Sequence, residues 1–346
     1  MTGPSLTVTA LTFNAHLFGH GAEFFVNGAR RETGFYFHDA ERLPQIIDAV
    51  RGVDADLVGF TEIWDGNDQE LIRNELRDVY PYSAVSPAAP GIGRVIEKTY
   101  GDWPRLGRVL FGSSRSGAED GVVSVFTRRH YSVGKTGLVT GRNALVSEDL
   151  IGQAISSLLR SAPVWGAGLV FLSKYPIESS CFLRHPLKAD WERMADKGVL
   201  WSTVRLPNGR RARVCLAHYQ EGETPQALAA RRDQIRRTRR TADFLDDPVI
   251  ALGDFNVVGG TLEHAWMLST LTLIDSGREP TYRDPNPYQK KLSAPVGQKA
   301  EARRLDYILH TEDWTAVESA VLRDSFQARE GYSLSDHDPV FARFHI

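Results

Sequence analysis

Apolar positions in this chain recur with two periods, and their succession along the sequence lays out the elements. Residues 6–18 (LTVTALTFNAHLF) alternate and are rich in β-branched side chains, which predicts a strand ending near Asn14. Residues 39–50 place Leu43, Ile46, Ile47 and Val50 on one helical face. Asp39 suits the N-cap of that helix, but Pro44 lacks a donor for it, so the start is expected nearer Leu43. Residues 54–64 (DADLVGFTEIW) read as a buried strand running into Glu62. Residues 67–82 read as a second helix with Leu71, Ile72, Leu76 and Val79 inward, closed by Pro81.

The pattern changes from residue 84 to about 165, where Gly, Ser and Arg are frequent and the helical signals, such as VSEDLIGQAISSLLRSA, are weak. Its flanks belong to one pattern, so a single domain over 1–346 with a long insertion or lid at 84–165 is expected. Strand patterns then return at 166–177, 179–186, 198–206 and 211–219, and Asn208-Gly209 between the last two signals a hairpin. A helix over about 225–246 turns Leu228, Ile235, Ala242 and Leu245 inward. Its RRDQIRRTRR run reads most simply as a solvated face, with a phosphate or nucleic-acid patch as the alternative. VIALGDFNVV (249–258) is a buried strand with polar residues at its exit. A mixed segment follows, then a strand at 302–310 and a turn with a final strand at 335–346. Helices mixed with many hairpin-linked strands predict an α/β (α+β) protein, a two-sheet core flanked by helices.

Composition narrows this picture without changing it. Of 346 residues, 42% are hydrophobic and 24% charged, which supports an ordinary globular core. A formal net charge of -2 and a pI near 6.6 exclude a strongly basic nucleic-acid footprint across the chain. No apolar run reaches the roughly 18 residues of a membrane-spanning helix. The stretch MTGPSLTVTALTFNAHLFGH lacks a basic leader and a long apolar run. No signal peptide is therefore expected; the default location is cytoplasmic, or secreted where a leader has been removed. Cys181 and Cys215 are too few for a disulfide scaffold and lie in strand-like stretches. Two buried thiols are expected, with one disulfide between neighbouring strands as the alternative.

Polar residues recur at the exits of the predicted strands: Asn14, Glu62, His218, Asp254 with Asn256, Asp306, and Asp336-His337 before the last strand. Each alone has a plain explanation as a turn, cap or core residue. Together they occupy the place where sheet enzymes build sites. If the chain stays extended past Asp254, positions i and i+2 point to one side, so Asp254 and Asn256 aim at one point. Asn14, Glu62 and the acidic residues offer hard oxygen ligands suited to Mg²⁺. His337 is a candidate general base on water, and Asp306 is the candidate that fixes its tautomer. Asn256 and His218 are candidates to hydrogen-bond phosphoryl oxygens. The set describes metal-assisted hydrolysis of a phosphate ester.

The ordered motifs LTFNAH, GFTEIWD, LAHYQEGE, LGDFN, RLDYI and SDHDPV resemble the endonuclease/exonuclease/phosphatase superfamily over most of the chain outside 84–165. Within it, TEIWDGNDQELIRNELRDVYPY, GLVFLSKYPI, DKGVLWSTVRL and the stretch from LAHYQEGE to TADFL resemble the neutral sphingomyelinases, including the pair Lys197-Gly198. The resemblance implies the DNase I-like fold, a four-layer α/β sandwich of two mixed β-sheets flanked by helices. It implies Mg²⁺, with Mn²⁺ or Co²⁺ able to substitute, held by Glu62 with Asn14 beside it. Asp254 and Asn256 would stand at the attacking water and phosphate. His337 would be the base, supported by Asp306, with Asp336 a second ligand or an orienting group. His218 would face the phosphate or the leaving oxygen.

The expected activity is in-line attack of water on a phosphodiester, with a phospholipid of the sphingomyelin type at a membrane surface as substrate. A nuclease or nucleotide phosphodiesterase on the same fold is the alternative, and a non-catalytic module is disfavoured by the intact residue set. The chain departs from that subgroup in its long insertion, its missing secretion signal and its lack of an obvious apolar hairpin; APVWGAG and FYFHD read as core aromatics rather than substitutes for one.

Overall fold

The computed structural model describes residues 5–17, 39–87, 166–189, 192, 195–242, 247–282, 302–329 and 331–346. Two six-stranded mixed sheets form the centre. The first contains β1 (Thr7–Leu17), β2 (Leu57–Ile63), β3 (Tyr82–Val85), β4 (Val170–Ser173), β11 (Thr315–Val321) and β12 (Val340–His345), in the order β11-β12-β1-β2-β4-β3. The second contains β5 (Ile177–Arg184), β6 (Gly198–Arg205), β7 (Arg211–His218), β8 (Val249–Asp254), β9 (Ile274–Asp275) and β10 (Asp306–His310), in the order β5-β6-β7-β8-β10-β9. The helices are α1 (Asp39–Val53), α2 (Gly66–Glu75), α3 (Pro225–Ala242) and α4 (Leu262–Leu271).

The alternation of side chains along the strands builds three apolar layers. Val8 and Ala10 of β1, Leu216 of β7 and Ile250 and Leu252 of β8 fill the space between the sheets. Leu11 and Phe13, one face over, pack with Leu43, Ile46 and Val50 of α1 and Ile72 of α2. Cys215 and Ala251 pack with Ile235 of α3 and Met267 and Leu271 of α4. Helices, sheet, sheet and helices thus stack as the four layers expected of the DNase I-like fold.

Several boundaries differ from the sequence expectation. α1 begins at Asp39 and carries Pro44 within it. Pro44 is the sixth helical residue, past the four donors that lack partners at a helix start, so the helix forgoes one bond, to the Ala40 carbonyl. α2 ends at Glu75, so Leu76 and Val79 lie in the turn beyond it, and Leu71 faces out at 42% exposure. β1 does not stop at Asn14; it continues to Leu17 through an irregularity in register between Asn14 and Leu17. Residues 166–177 contain β4, a bend and the start of β5. Residues 84 and 85, assigned to the insertion, belong to β3, which pairs with β4; the rest of that segment from residue 88, with its weak helices, lies outside the described residues. The hairpin at Asn208-Gly209 is present, with Gly209 at φ 82°. α3 turns a partly polar face inward, burying Arg231, Gln234 and Thr238 with Ala227, Ala230 and Ile235. Leu228 is half-buried, while the Ala242 side chain and Leu245 lie outside the described residues. Cys215 is buried but Cys181 is exposed, and both are free thiols. They sit on β7 and β5, each opposite Trp201 of the strand between, which rules out a bond between adjacent strands.

Candidate active site

Strand register brings the second sheet's polar residues abreast. Gly198 of β6 is level with His218 of β7, His218 with Asp254 of β8, and Asp254 with Asp306 of β10. β7 and β8 are parallel, so both deliver their last residue to the same edge. The chain can turn there because Gly253 takes a φ of 134° and leaves room for the Ala217 carbonyl, into which a Cβ would run. From the first sheet, the parallel pair β1 and β2 brings Asn14 and Glu62 to this edge.

The side chains converge from there. Asn14 Nδ2 donates to Glu62 Oε1 and to Asp254 Oδ2, each at 3.0 Å, and so joins the two sheets. His218 Nε2 lies 3.5 Å from Glu62 Oε1 and 3.9 Å from Asp254 Oδ2. Glu62, His218 and Asp254 offer ligand atoms within 4.8 Å of one another, as do Asp254, Asp306 and His337. Asp254 belongs to both groups. The His337 Nδ1 to Asp306 Oδ2 distance is 2.7 Å, and Thr281 Oγ1 donates to the same oxygen at 2.6 Å. Tyr282 meets the His337 ring edge-on at 5.1 Å.

The extended course assumed for Asp254 and Asn256 does not hold. Asn256 adopts φ 51°, and its backbone N–H donates to Asp254 Oδ1 at 2.8 Å, a side-chain-closed turn. Its amide donates to the Tyr219 carbonyl at 3.0 Å. The turn and the site are therefore the same object: one oxygen of Asp254 closes the turn and the other faces the cluster. His16 and Glu62 share the positive φ, at 48° and 60°. Non-glycine residues in that region cost about 1–3 kcal/mol each and persist only where the surroundings impose them.

Burial and charge divide the titratable groups. Burial, then the neighbouring Asp306 carboxylate, pushes Asp254 up to about 8. Burial opposes a charge on His337, yet Asp306 and Asp336 outweigh it and hold the imidazole proton well above its usual range. For His218, burial and then the Lys197 charge act together to keep the ring neutral. Lys197 Nζ stands 2.9 Å from His218 Nε2, which makes that nitrogen an acceptor. Burial pushes Asp336 up, but His16 and His337 prevail and hold it below the usual carboxylate range.

Of the residues singled out in the sequence, Asn14, Glu62, His218, Asp254, Asp306 and His337 meet at one place. Asp336 stands beside it, 3.8 Å from His16 Nδ1, while His16 Nε2 lies 4.0 Å from Glu62 Oε2. Three partners were not singled out. His16 follows two residues after Asn14 and reaches the site only through the irregularity in β1. Thr281 arrives from a segment without a regular pattern. Glu192 pairs with Lys197, and both are buried. Lys197 was noted only for its resemblance; a buried lysine shows no periodic signal.

The Endonuclease/Exonuclease/phosphatase family model matches residues 11–337. No curated protein matches the chain. Among solved structures, SmcL is similar at 16% identity and a TM-score of 0.60, with 98% of this chain and 99% of that one covered. A beta toxin variant from Staphylococcus aureus with bound magnesium ions is similar at 16% identity and 0.59, covering 97% and 99%. Sphingomyelinase C from Streptomyces griseocarneus is similar at 18% identity and 0.56, covering 99% of each chain. These likenesses describe a shared fold.

Proposed function

Since the chain belongs to the endonuclease/exonuclease/phosphatase family, we propose that it is a metal-dependent phosphodiesterase. The observation that carries this is the adjacency of a buried His337–Asp306 pair to the carboxylates of Asp254 and Glu62, with Asp254 common to both groups. Asp306 and Asp336 favour the protonated ring of His337 in the metal-free site; in its neutral form His337 would take a proton from the attacking water, and Asp306 would stabilise the imidazolium that results. Thr281 fixes the Asp306 oxygen that faces the ring. Lys197 holds His218 neutral and oriented beside Glu62.

The donor set fits a hard divalent cation. Glu62 and Asp254 turn oxygens toward one another around Asn14, and burial, then the neighbouring Asp306 carboxylate, raises the proton affinity of Asp254, which a bound cation would offset. Glu62 is the principal ligand in this reading. Asn14 would join it through its carbonyl oxygen only with the amide turned over, at the cost of the bond its oxygen accepts from the His16 N–H at 3.1 Å. Asp336 orients His16. A bound Mg²⁺ supplies positive charge for the phosphoryl oxygens; Mn²⁺ or Co²⁺ suits the same donors.

The similarity to sphingomyelinase C supports a phospholipid diester as the substrate class. The basic run of α3 gives weaker support to a nuclease, because at least three of its six arginines are engaged locally. Arg231 pairs with Glu263, Arg237 with Asp233, and Arg236 stacks over Trp266. The test is hydrolysis of sphingomyelin, lysophospholipid, bis-p-nitrophenyl phosphate and plasmid DNA with and without Mg²⁺. Mg²⁺-dependent release of phosphocholine without DNA nicking is expected. DNA nicking with inert lipids would replace this reading with the nuclease.

A further inference from the structure

The His337–Asp306 pair and the Glu62 cluster ride on segments far apart in sequence, and one buried side chain joins them. Arg42 of α1 is fully buried. Its Nη1 donates to the carbonyls of Ala15 (3.0 Å) and Leu334 (2.6 Å). Its Nη2 donates to the His16 carbonyl (2.7 Å) and to Asp39 Oδ1 (2.5 Å). Ala15 and His16 form the irregularity that follows Asn14 in β1. Leu334 opens the loop that carries Ser335, Asp336 and His337. A guanidinium is planar and its N–H groups point in fixed directions. Bonds from one guanidinium to both segments therefore set their separation as well as their attraction.

The His16 backbone needs such a hold, since its φ of 48° is one that a non-glycine residue keeps only under constraint. A second tie runs alongside. Ser335 Oγ donates to the Asn14 carbonyl at 2.7 Å and accepts the His337 backbone N–H at 3.2 Å. Asp39 balances the buried charge.

We propose that Arg42 is a positioning residue that sets where His337 stands relative to Glu62 and Asn14. The proposal rests on the reading that these residues serve one reaction. A lysine at this position keeps the charge but lacks the planar fork that spans both segments.

The experiment compares R42K, S335A and the double variant with the wild type. Steady-state kinetics with bis-p-nitrophenyl phosphate at saturating Mg²⁺ are run well below the lowest melting temperature. Ring signals of His16 and His337 are followed by NMR in the same proteins, with His310 and His345 as references. The expected result is a kcat about 10- to 100-fold lower in R42K, with KM changed far less. The double variant should depart from the product of the single losses, because both ties bear on the same separation. The His16 and His337 signals should move while His310 and His345 stay, which a general loss of stability does not produce in the folded protein. A folded R42K with wild-type kcat, or with unmoved His16 and His337 signals, would overturn the proposal. If R42K does not fold, S335A carries the same measurements with the same expectation. If the wild type hydrolyses no diester, the functional reading fails, and the ring signals alone decide whether Arg42 positions the two segments.

Discussion

Asp306→Asn separates the chemistry of the site from its stability. Asp306 Oδ2 receives His337 Nδ1 and the Thr281 hydroxyl, and its ligand atom lies within 4.8 Å of that of Asp254. The exchange of carboxylate for amide costs the charge-assisted bond to His337, about 1.5–3 kcal/mol. At pH ~9, above the value of about 8 to which Asp254 is raised, it also removes a repulsion between two buried carboxylates, about 3 kcal/mol for unit charges at this distance and an effective dielectric of 20. The two changes nearly cancel, so the metal-free variant should melt within a few degrees of the wild type. Catalysis has no such compensation. An imidazole without its carboxylate loses orientation and the stabilisation of its charged form, and a loss of about 10²–10⁴ in kcat is expected. The assay is kcat with bis-p-nitrophenyl phosphate beside calorimetric melting in chelator, with T281V as a control that keeps the carboxylate. A variant within threefold of wild-type kcat would refute the role given to Asp306. A melting temperature more than ten degrees lower would refute the balance of charges.

Further outcomes follow from the same geometry. Because burial and Asp306 raise Asp254 to about 8 in the folded state, its contribution to stability is full below pH ~4 and lost as pH rises through about 8. Melting in chelator should therefore weaken across that window, and the stabilisation by added Mg²⁺, read as a shift in melting temperature, should grow with pH. Glu62→Gln should abolish most of that Mg²⁺ shift and lower kcat by about 10² or more while leaving the metal-free melting temperature nearly unchanged. Gly253→Ala places a methyl group against the Ala217 carbonyl at φ 134°, so urea unfolding should show a loss of about 3 kcal/mol or a chain that does not fold. A thiol reagent should label exposed Cys181 in the native protein and Cys215 only after unfolding.

The sequence displayed the central strands because their apolar residues are dense and their exits polar. β2, β6, β7 and β8 are buried almost throughout and fall where the pattern puts them. β11 (TAVESAV) escaped notice because it is an edge strand with mostly partial burial and no clean alternation. α4 also escaped, since its apolar residues are spread around the axis and Leu262 is 91% exposed. Asn14, Glu62, His218, Asp254, Asp306 and His337 were legible because each stands at or beside a strand end. His16, Thr281 and Glu192 were not, since their roles depend on pairings across the fold. Asp254 and Asn256 were expected to aim at one point on an extended course, whereas the chain turns between them and the Asn256 amide bonds to the Tyr219 carbonyl.

The order in which the two sheets take up the chain has a consequence during synthesis. The second sheet is drawn from one continuous stretch, β5 to β10, whereas the first holds β1 to β4 and then waits for β11 and β12. β12 inserts between β1 and β11, and His337 lies just before it. A nascent chain released before β12 leaves the ribosome has β1 open on one side and no seat for His337, the proposed base. Such a fragment can hold Glu62 and Asp254 yet lacks a seat for the group proposed to turn water on a phosphodiester. β12 is translated after the other strands described here, so on the proposed reading chains terminated before it are born inert.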